Sequence, residues 1–242
     1  MNDKADRAKA KVAARLAAQR ARERRRRALL VSAVALVVLL VAAGIGIAVY
    51  QNNKPEKVVL PHGATRAGVT VGSASAPVKV DVYLDFQCPV CKQFETQSGS
   101  TLEKYVQQGT VQVIYHPVAF LDRMSSGTQY STRSSAASGC AADAGKLPAF
   151  VAALYGNQPE EGGSGLTNAK IISLATSAGI TGNTFTKCVD DQTYQGWTAS
   201  VTDSASKDGV VGTPTVKVGG KAIANPTTAT LTSAITAAAG AR

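Results

Sequence analysis

Two cysteines three residues apart, in Cys88-Pro89-Val90-Cys91, are the chemically most telling feature of this chain. The run before them, Val78 to Leu84, is rich in valine and reads as a buried strand. The stretch after them keeps helical spacing through Leu102 and Tyr105-Val106 and ends near Gln108-Gly109. Cys88 then falls at a strand-to-helix junction, with Pro89 at the first helical position, where a missing N–H costs nothing. A helix N-terminus carries partial positive charge and free N–H groups, which favour a thiolate over a thiol. Cys91, one turn further on, is placed to close a disulfide with Cys88. A strand followed by C-x-x-C at the start of a helix points to thiol–disulfide chemistry.

The competing reading of C-x-x-C is half of a zinc site. A closed site needs two more ligands, usually a second close pair. The other cysteines, Cys140 and Cys188, stand alone, and His62 and His116 are far apart in the sequence. Redox chemistry is therefore the expectation, with no metal.

The elements that must position this pair follow from the rest of the chain. The 242 residues carry a formal net charge of +10. Residues 1–27 hold 11 of the 26 lysines and arginines and 3 of the 16 acids, which leaves 15 basic against 13 acidic residues elsewhere. The basicity belongs to one arm, densest at Arg24-Arg25-Arg26-Arg27, and does not call for a nucleic-acid partner. Ala28 to Tyr50 follows as an uncharged run of 23 residues. At about 1.5 Å per residue such a helix crosses a hydrocarbon core of about 30 Å with some tilt. It is longer than the apolar stretch of a cleaved signal peptide, about 7–15 residues. The segment 28–50 reads as a retained signal-anchor in a plasma membrane, single-pass, with arm 1–27 cytoplasmic and everything after Tyr50 extracytoplasmic. Residues 51–65, polar and broken by proline, read as a linker, with His62 solvated.

Residues 66–242 suffice for one domain with its own core. It opens with a short apolar stretch, Ala67 to Val71, ahead of the strand and helix already described. Val111 to His116 supplies a further strand, which makes a βαβ unit with a right-handed crossover. From about 127 to 208 the apolar residues fall at helical intervals, enough for four or five helices. Pro159 to Gly163 reads there as an exposed loop and hinge. Thr213 to Val218 and Lys221 to Ala224 then read as a hairpin about Gly219-Gly220. A last helix is expected to start with Asn225 as its cap and to stop at Gly240.

The order βαβ, helical block, ββα resembles an α/β thioredoxin fold with a helical insertion, as in the DsbA-like thiol–disulfide oxidoreductases. Two motifs carry the resemblance: Asp85-Phe86-Gln87-Cys88-Pro89-Val90-Cys91-Lys92, and Gly212-Thr213-Pro214-Thr215 before a late strand. It implies that Pro214 is cis and faces the cysteine pair. It implies Cys88 as the exposed attacking sulfur and Cys91 as the resolving one. Thr213 would then offer a free backbone edge on which an extended substrate can add as a strand. Two features depart from the family pattern. The strong oxidants have a histidine inside the C-x-x-C where this chain has Pro89-Val90. The buried acid that many members carry six residues before the first cysteine is here Val82. Asp81 and Asp85 are the nearest carboxylates, and Asp85 also suits a cap at the helix entrance.

Outside the cytoplasm two lone cysteines more often pair than stay free, so Cys140–Cys188 is expected as a structural disulfide. The function expected from the resemblance is introduction of disulfides into exported proteins, with the Cys88-Cys91 pair itself as the redox centre and no further cofactor. A quinone-linked membrane partner would reoxidise it. The alternatives are an isomerase or reductase of the same fold, or a copper-delivery module using the C-x-x-C. Copper binding would want methionines or histidines beside the motif, and a non-catalytic adaptor would not need the intact pair.

Overall fold

The computed structural model describes residues 3–52 and 58–241. Two compact units divide the chain at residue 56. The first is a single helix, α1 (Asp3–Asn52). Within it the segment Arg22–Ile47 holds an 18-residue window with a mean hydropathy of 2.9, long and apolar enough to cross a membrane. Leu36 to Val41 are more than half exposed within this unit.

Of the linker expected over 51–65, Gln51 and Asn52 close α1, and residues 53–57 lie outside the described residues. Its last part belongs to the folded unit. Pro61 is buried, Ala64 forms an antiparallel bridge with Val69, and the Trp197 indole N–H donates to the Thr65 carbonyl at 2.8 Å. The His62 side chain is exposed, but its backbone N–H donates to Asp143 Oδ1 at 2.7 Å. Prolines and polar residues look like a linker in sequence, yet partners far along the chain hold this stretch in place.

The second unit is built on a five-stranded sheet in the order β1-β3-β2-β4-β5. Its strands are β1 (Val69–Val71), β2 (Val78–Leu84), β3 (Val111–Pro117), β4 (Thr215–Val218) and β5 (Lys221–Ala222). β2 and β3 are parallel, joined by α2 (Pro89–Gln107), and the remaining pairings are antiparallel. In β2 and β3 Val80, Val82, Val111 and Val113 are all buried and, being two apart in each strand, line one face of the sheet. Gly219 and Gly220 both take positive φ, 55° and 79°, in the two-residue turn between β4 and β5, a geometry that glycine adopts without steric cost.

Between β3 and β4 the chain forms a short 3-10 turn, Asp122–Met124, and five α-helices: α3 (Tyr130–Asp143), α4 (Leu147–Gly156), α5 (Asn168–Ser177), α6 (Asn183–Asp190) and α7 (Gln195–Lys207). This is the helical insertion of a thioredoxin fold. Trp197, Tyr130, Phe150, Leu154 and Ile171 are fully buried within it. The α4–α5 loop, expected as a free hinge, is pinned instead: the Ser126 hydroxyl donates to the Gly162 carbonyl and the Thr128 hydroxyl to the Ser164 carbonyl. The last helix, α8 (Thr228–Gly240), packs against α2 and β4. Its cap is not Asn225, which takes φ 49°. Thr227 caps it in a reciprocal box with Thr230, because a threonine three residues ahead of another can satisfy both exposed N–H groups at once.

Candidate active site

Cys88 occupies the N-cap position of α2 with extended backbone, φ −74° and ψ 117°, and Pro89 begins the helix. No side chain caps this end, so its free N–H groups face the sulfur. Both Cys88 and Cys91 are thiols in the structure. Cys91 is 1% exposed, and Cys88, expected to be exposed, is only 7% exposed. The cover over Cys88 comes from the loop ahead of β4: its thiol donates to the Thr213 carbonyl at 3.2 Å. That carbonyl was expected to be free for substrate; in the dithiol form it is occupied by the enzyme's own sulfur. The Thr213–Pro214 peptide is cis.

The two sulfurs are driven to opposite protonation states. Cys88 is lowered to about 6, first by its hydrogen bond with Cys91, then by Thr213 and the backbone N–H groups of Cys91 and Val90, against the opposing effect of burial. Cys91 is raised well above the ordinary cysteine range, chiefly by burial and also by sharing the site with Cys88. At neutral pH one is a thiolate at the surface edge and the other a thiol beneath it. Only the first is a ready nucleophile.

The acid sought in sequence behaves differently from a free proton acceptor. Asp85 is fully buried, and its carboxyl accepts from the Gln87 N–H at 2.9 Å, the Ser131 hydroxyl at 2.7 Å and the Leu121 N–H at 3.0 Å. It thereby ties the active-site turn to α3 and to the segment after β3. Burial outweighs these bonds and raises its pKa to about 6. Asp81 points elsewhere and pairs with His116 Nε2 at 2.9 Å. Among the hydrogen bonds of the described residues neither carboxylate reaches Cys91.

Sequence reasoning missed two residues, both on the helical insertion. Gln158, just beyond α4, donates from Nε2 to the Phe86 and Cys88 carbonyls, both at 2.9 Å. Tyr155, near the end of α4, donates to the Asp85 carbonyl at 3.0 Å, and its ring packs on Phe86 with centroids 5.3 Å apart. Together they hold three carbonyls of the turn that carries Cys88. Their spacing, three apart at a helix end, is a weak signal that only the packing makes meaningful.

Beside the cysteines a groove of about 520 Å³ runs along α2 to β5, lined by Val90, Phe94, Pro214, Ile223 and Pro226 among others. Val90 is 55% exposed at its edge. Cys140 and Cys188 are far from this groove in sequence and bridge α3 to α6 as a disulfide, with Cα atoms 6.0 Å apart.

A dithiol at a helix N-terminus, facing a cis-proline turn on a five-stranded mixed sheet, defines a thioredoxin-fold redox protein. A family profile described as Thioredoxin matches residues 64–237. The reduced disulfide bond oxidoreductase DsbG of Mycobacterium tuberculosis is similar, with 33% identity over 74% of this chain and 90% of that one and a TM-score of 0.64. Oxidised DsbA of the same organism is 34% identical over 72% of this chain and 93% of its own, with a TM-score of 0.63. The chain belongs to the thioredoxin family, among its DsbA-type thiol–disulfide oxidoreductases. It is also 37% identical over 118 residues to the serine/threonine-protein kinase PknE of Mycobacterium tuberculosis, where it spans only 21% of the kinase's length.

Proposed function

We propose that this protein is a membrane-anchored, extracytoplasmic thiol oxidase that introduces disulfides into exported proteins through Cys88-Cys91. The observation that carries the direction is the lowered pKa of Cys88, about 6. A stabilised thiolate favours the reduced enzyme and so makes its disulfide a better oxidant. A substrate thiolate attacks Cys88 Sγ, the Cys88–Cys91 bond breaks, and Cys91 leaves with the electron pair. The second substrate thiolate attacks the substrate sulfur of the mixed disulfide and releases Cys88 as thiolate. The substrate loses two electrons, which the cysteine pair holds, and no cofactor beyond that pair takes part. The groove of Val90, Phe94 and Pro214 would hold the substrate segment around its cysteine. A quinone-linked membrane protein would return the pair to the disulfide. The basic arm 1–27 ahead of the apolar run supports a cytoplasmic N-terminus and a catalytic domain outside.

The test is transfer from the oxidised protein to a reduced two-cysteine peptide, followed by mass spectrometry, and the reduction potential of the pair. Stoichiometric transfer with a potential well above about −270 mV, the thioredoxin value, supports an oxidase. A potential at or below it would make the protein a reductase. Cys91→Ala should trap mixed disulfides through Cys88, whereas Cys88→Ala should trap almost none.

A further inference from the structure

Of the two insertion residues that hold the Cys88 turn, Gln158 is the one with an unused end. Its Nε2 donates to the Phe86 carbonyl and to the Cys88 carbonyl, both at 2.9 Å. A backbone carbonyl can only accept, so these two fix which end of the amide faces the turn. The nitrogen does, and both of its N–H groups are used there. The oxygen, Oε1, lies on the other branch of the amide. Among the hydrogen bonds of the described residues none reaches Oε1, and it is not one of the buried atoms left without a partner, so it is open to solvent. The path from Cys88 Sγ through its own carbonyl oxygen and the hydrogen bond to Nε2 puts Oε1 within about 10 Å of that sulfur, the length of three extended residues.

The exchange proposed above brings an extended segment of the substrate to this place, around the cysteine that attacks Cys88. Such a segment carries a backbone N–H on every residue except proline, and each needs an acceptor as water is displaced. Thr213 offers one. In the dithiol the Cys88 thiol donates to the Thr213 carbonyl at 3.2 Å; in the disulfide that S–H no longer exists and the carbonyl is released. We propose that Gln158 is a substrate-binding residue and supplies the second acceptor: with its nitrogen held by the Phe86 and Cys88 carbonyls, its Oε1 accepts a backbone N–H of the substrate within three residues of the attacking cysteine. The contact reads main chain, so it fixes the path of the segment over Cys88 without demanding a particular side chain. The amide is already oriented by its two bonds, so little rotamer freedom is lost when the substrate arrives. The substrate class this favours is a cysteine in an extended stretch with free N–H groups. A cysteine inside a helix, whose N–H groups are already bonded, has none to give.

This inference rests on the dithiol–disulfide reading, and paired substrates separate the two. The probe is a reduced two-cysteine peptide, offered to the oxidised full-length protein as an all-amide chain and with an ester in place of one backbone amide at each residue near either cysteine. An ester removes the N–H and keeps the shape. A neutral hydrogen bond is worth roughly two- to tenfold, so at one position the ester peptide should be oxidised more slowly than the amide peptide by that factor. In Gln158→Ala the ratio at that position should fall to about one. Gln158→Lys should do the same, since its ammonium can still donate to the two carbonyls but has no acceptor. Comparing two peptides on one variant cancels any change that the substitution makes to the turn or to Cys88 reactivity. A purely structural Gln158 would slow both peptides alike and leave the ratio at its parent value. The proposal is overturned unless the same position loses its penalty in both variants, and equally if no position carries one in the parent. A parent protein that fails to oxidise even the all-amide peptide would sink the functional reading and this inference with it.

Discussion

Replacing Cys91 by alanine removes the contribution that does most to hold Cys88 in its ionised form, because their hydrogen bond stands first among the causes of its lowered pKa. The Val90 backbone N–H, the Thr213 hydroxyl and the helix end all remain. A hydrogen bond to a charged group contributes about 1.5–3 kcal/mol, and a pKa unit corresponds to about 1.4 kcal/mol. The midpoint should rise by roughly one to two units, from about 6 to about 7–8. At pH 7 the parent is then roughly 90% thiolate and the variant roughly 10–50%. The assay is the pH dependence of iodoacetamide alkylation of the reduced protein, with thiolate absorbance as an independent readout. In the parent, reactivity should rise as pH increases through about 6, since the charged form is the nucleophile. A variant midpoint still near 6 would show that the helix end alone sets the thiolate. A parent midpoint above about 8 would remove the physical basis for calling Cys88 the nucleophile.

Asp85 makes a second pH-dependent prediction. Its folded pKa of about 6 lies above the ordinary value of 3.8, so its favourable contribution is complete below about pH 4 and is lost as pH rises through about 6. In the oxidised protein, where Cys88 does not titrate, Asp85→Asn should flatten the stability profile over that window by about 3 kcal/mol in urea unfolding; parallel profiles would refute it. Gln158→Ala removes two hydrogen bonds to the active-site turn and should cost about 1–3 kcal/mol, with a lower melting temperature and a slower substrate step; an unchanged melt would mean water replaces the amide fully. Cys140→Ala with Cys188→Ala opens a loop with a sequence separation of 48 residues. That change should lower stability by roughly 4 kcal/mol, read from denaturant midpoints of the double variant. A reporter fused after Arg242 should work only if it is of the kind active outside the cytoplasm; activity of a strictly cytoplasmic reporter would reverse the topology.

What the chain's local chemistry determines by itself is the order of elements and the place of the thiols. The valine run, the proline one residue after Cys88 and the helical spacing beyond it act within a few residues, so a strand, a junction and α2 follow from sequence alone. Thr213-Pro214 and the glycine pair at 219–220 are legible for the same reason: each restricts its own backbone. The uncharged run 28–50 is equally local, since length and hydropathy suffice to mark a helix able to span a membrane.

Tertiary structure decided what touches the sulfurs. The loop bearing Thr213 lies 125 residues beyond Cys88, and its carbonyl covers that sulfur, which is why Cys88 is less exposed than a helix end suggests. Asp85 and Asp81 look interchangeable as neighbouring acids, but one lies in β2 and the other just after it, and they find different partners, Ser131 on α3 and His116 on β3. Tyr155 and Gln158 lie about 70 residues from the carbonyls they hold. A hydrogen bond between distant segments leaves no period or spacing in the sequence, because it depends on how α4 packs over the turn and not on any preference of its own residues. The hold that Tyr155 and Gln158 have on the Cys88 turn is therefore visible only once the insertion has folded over it.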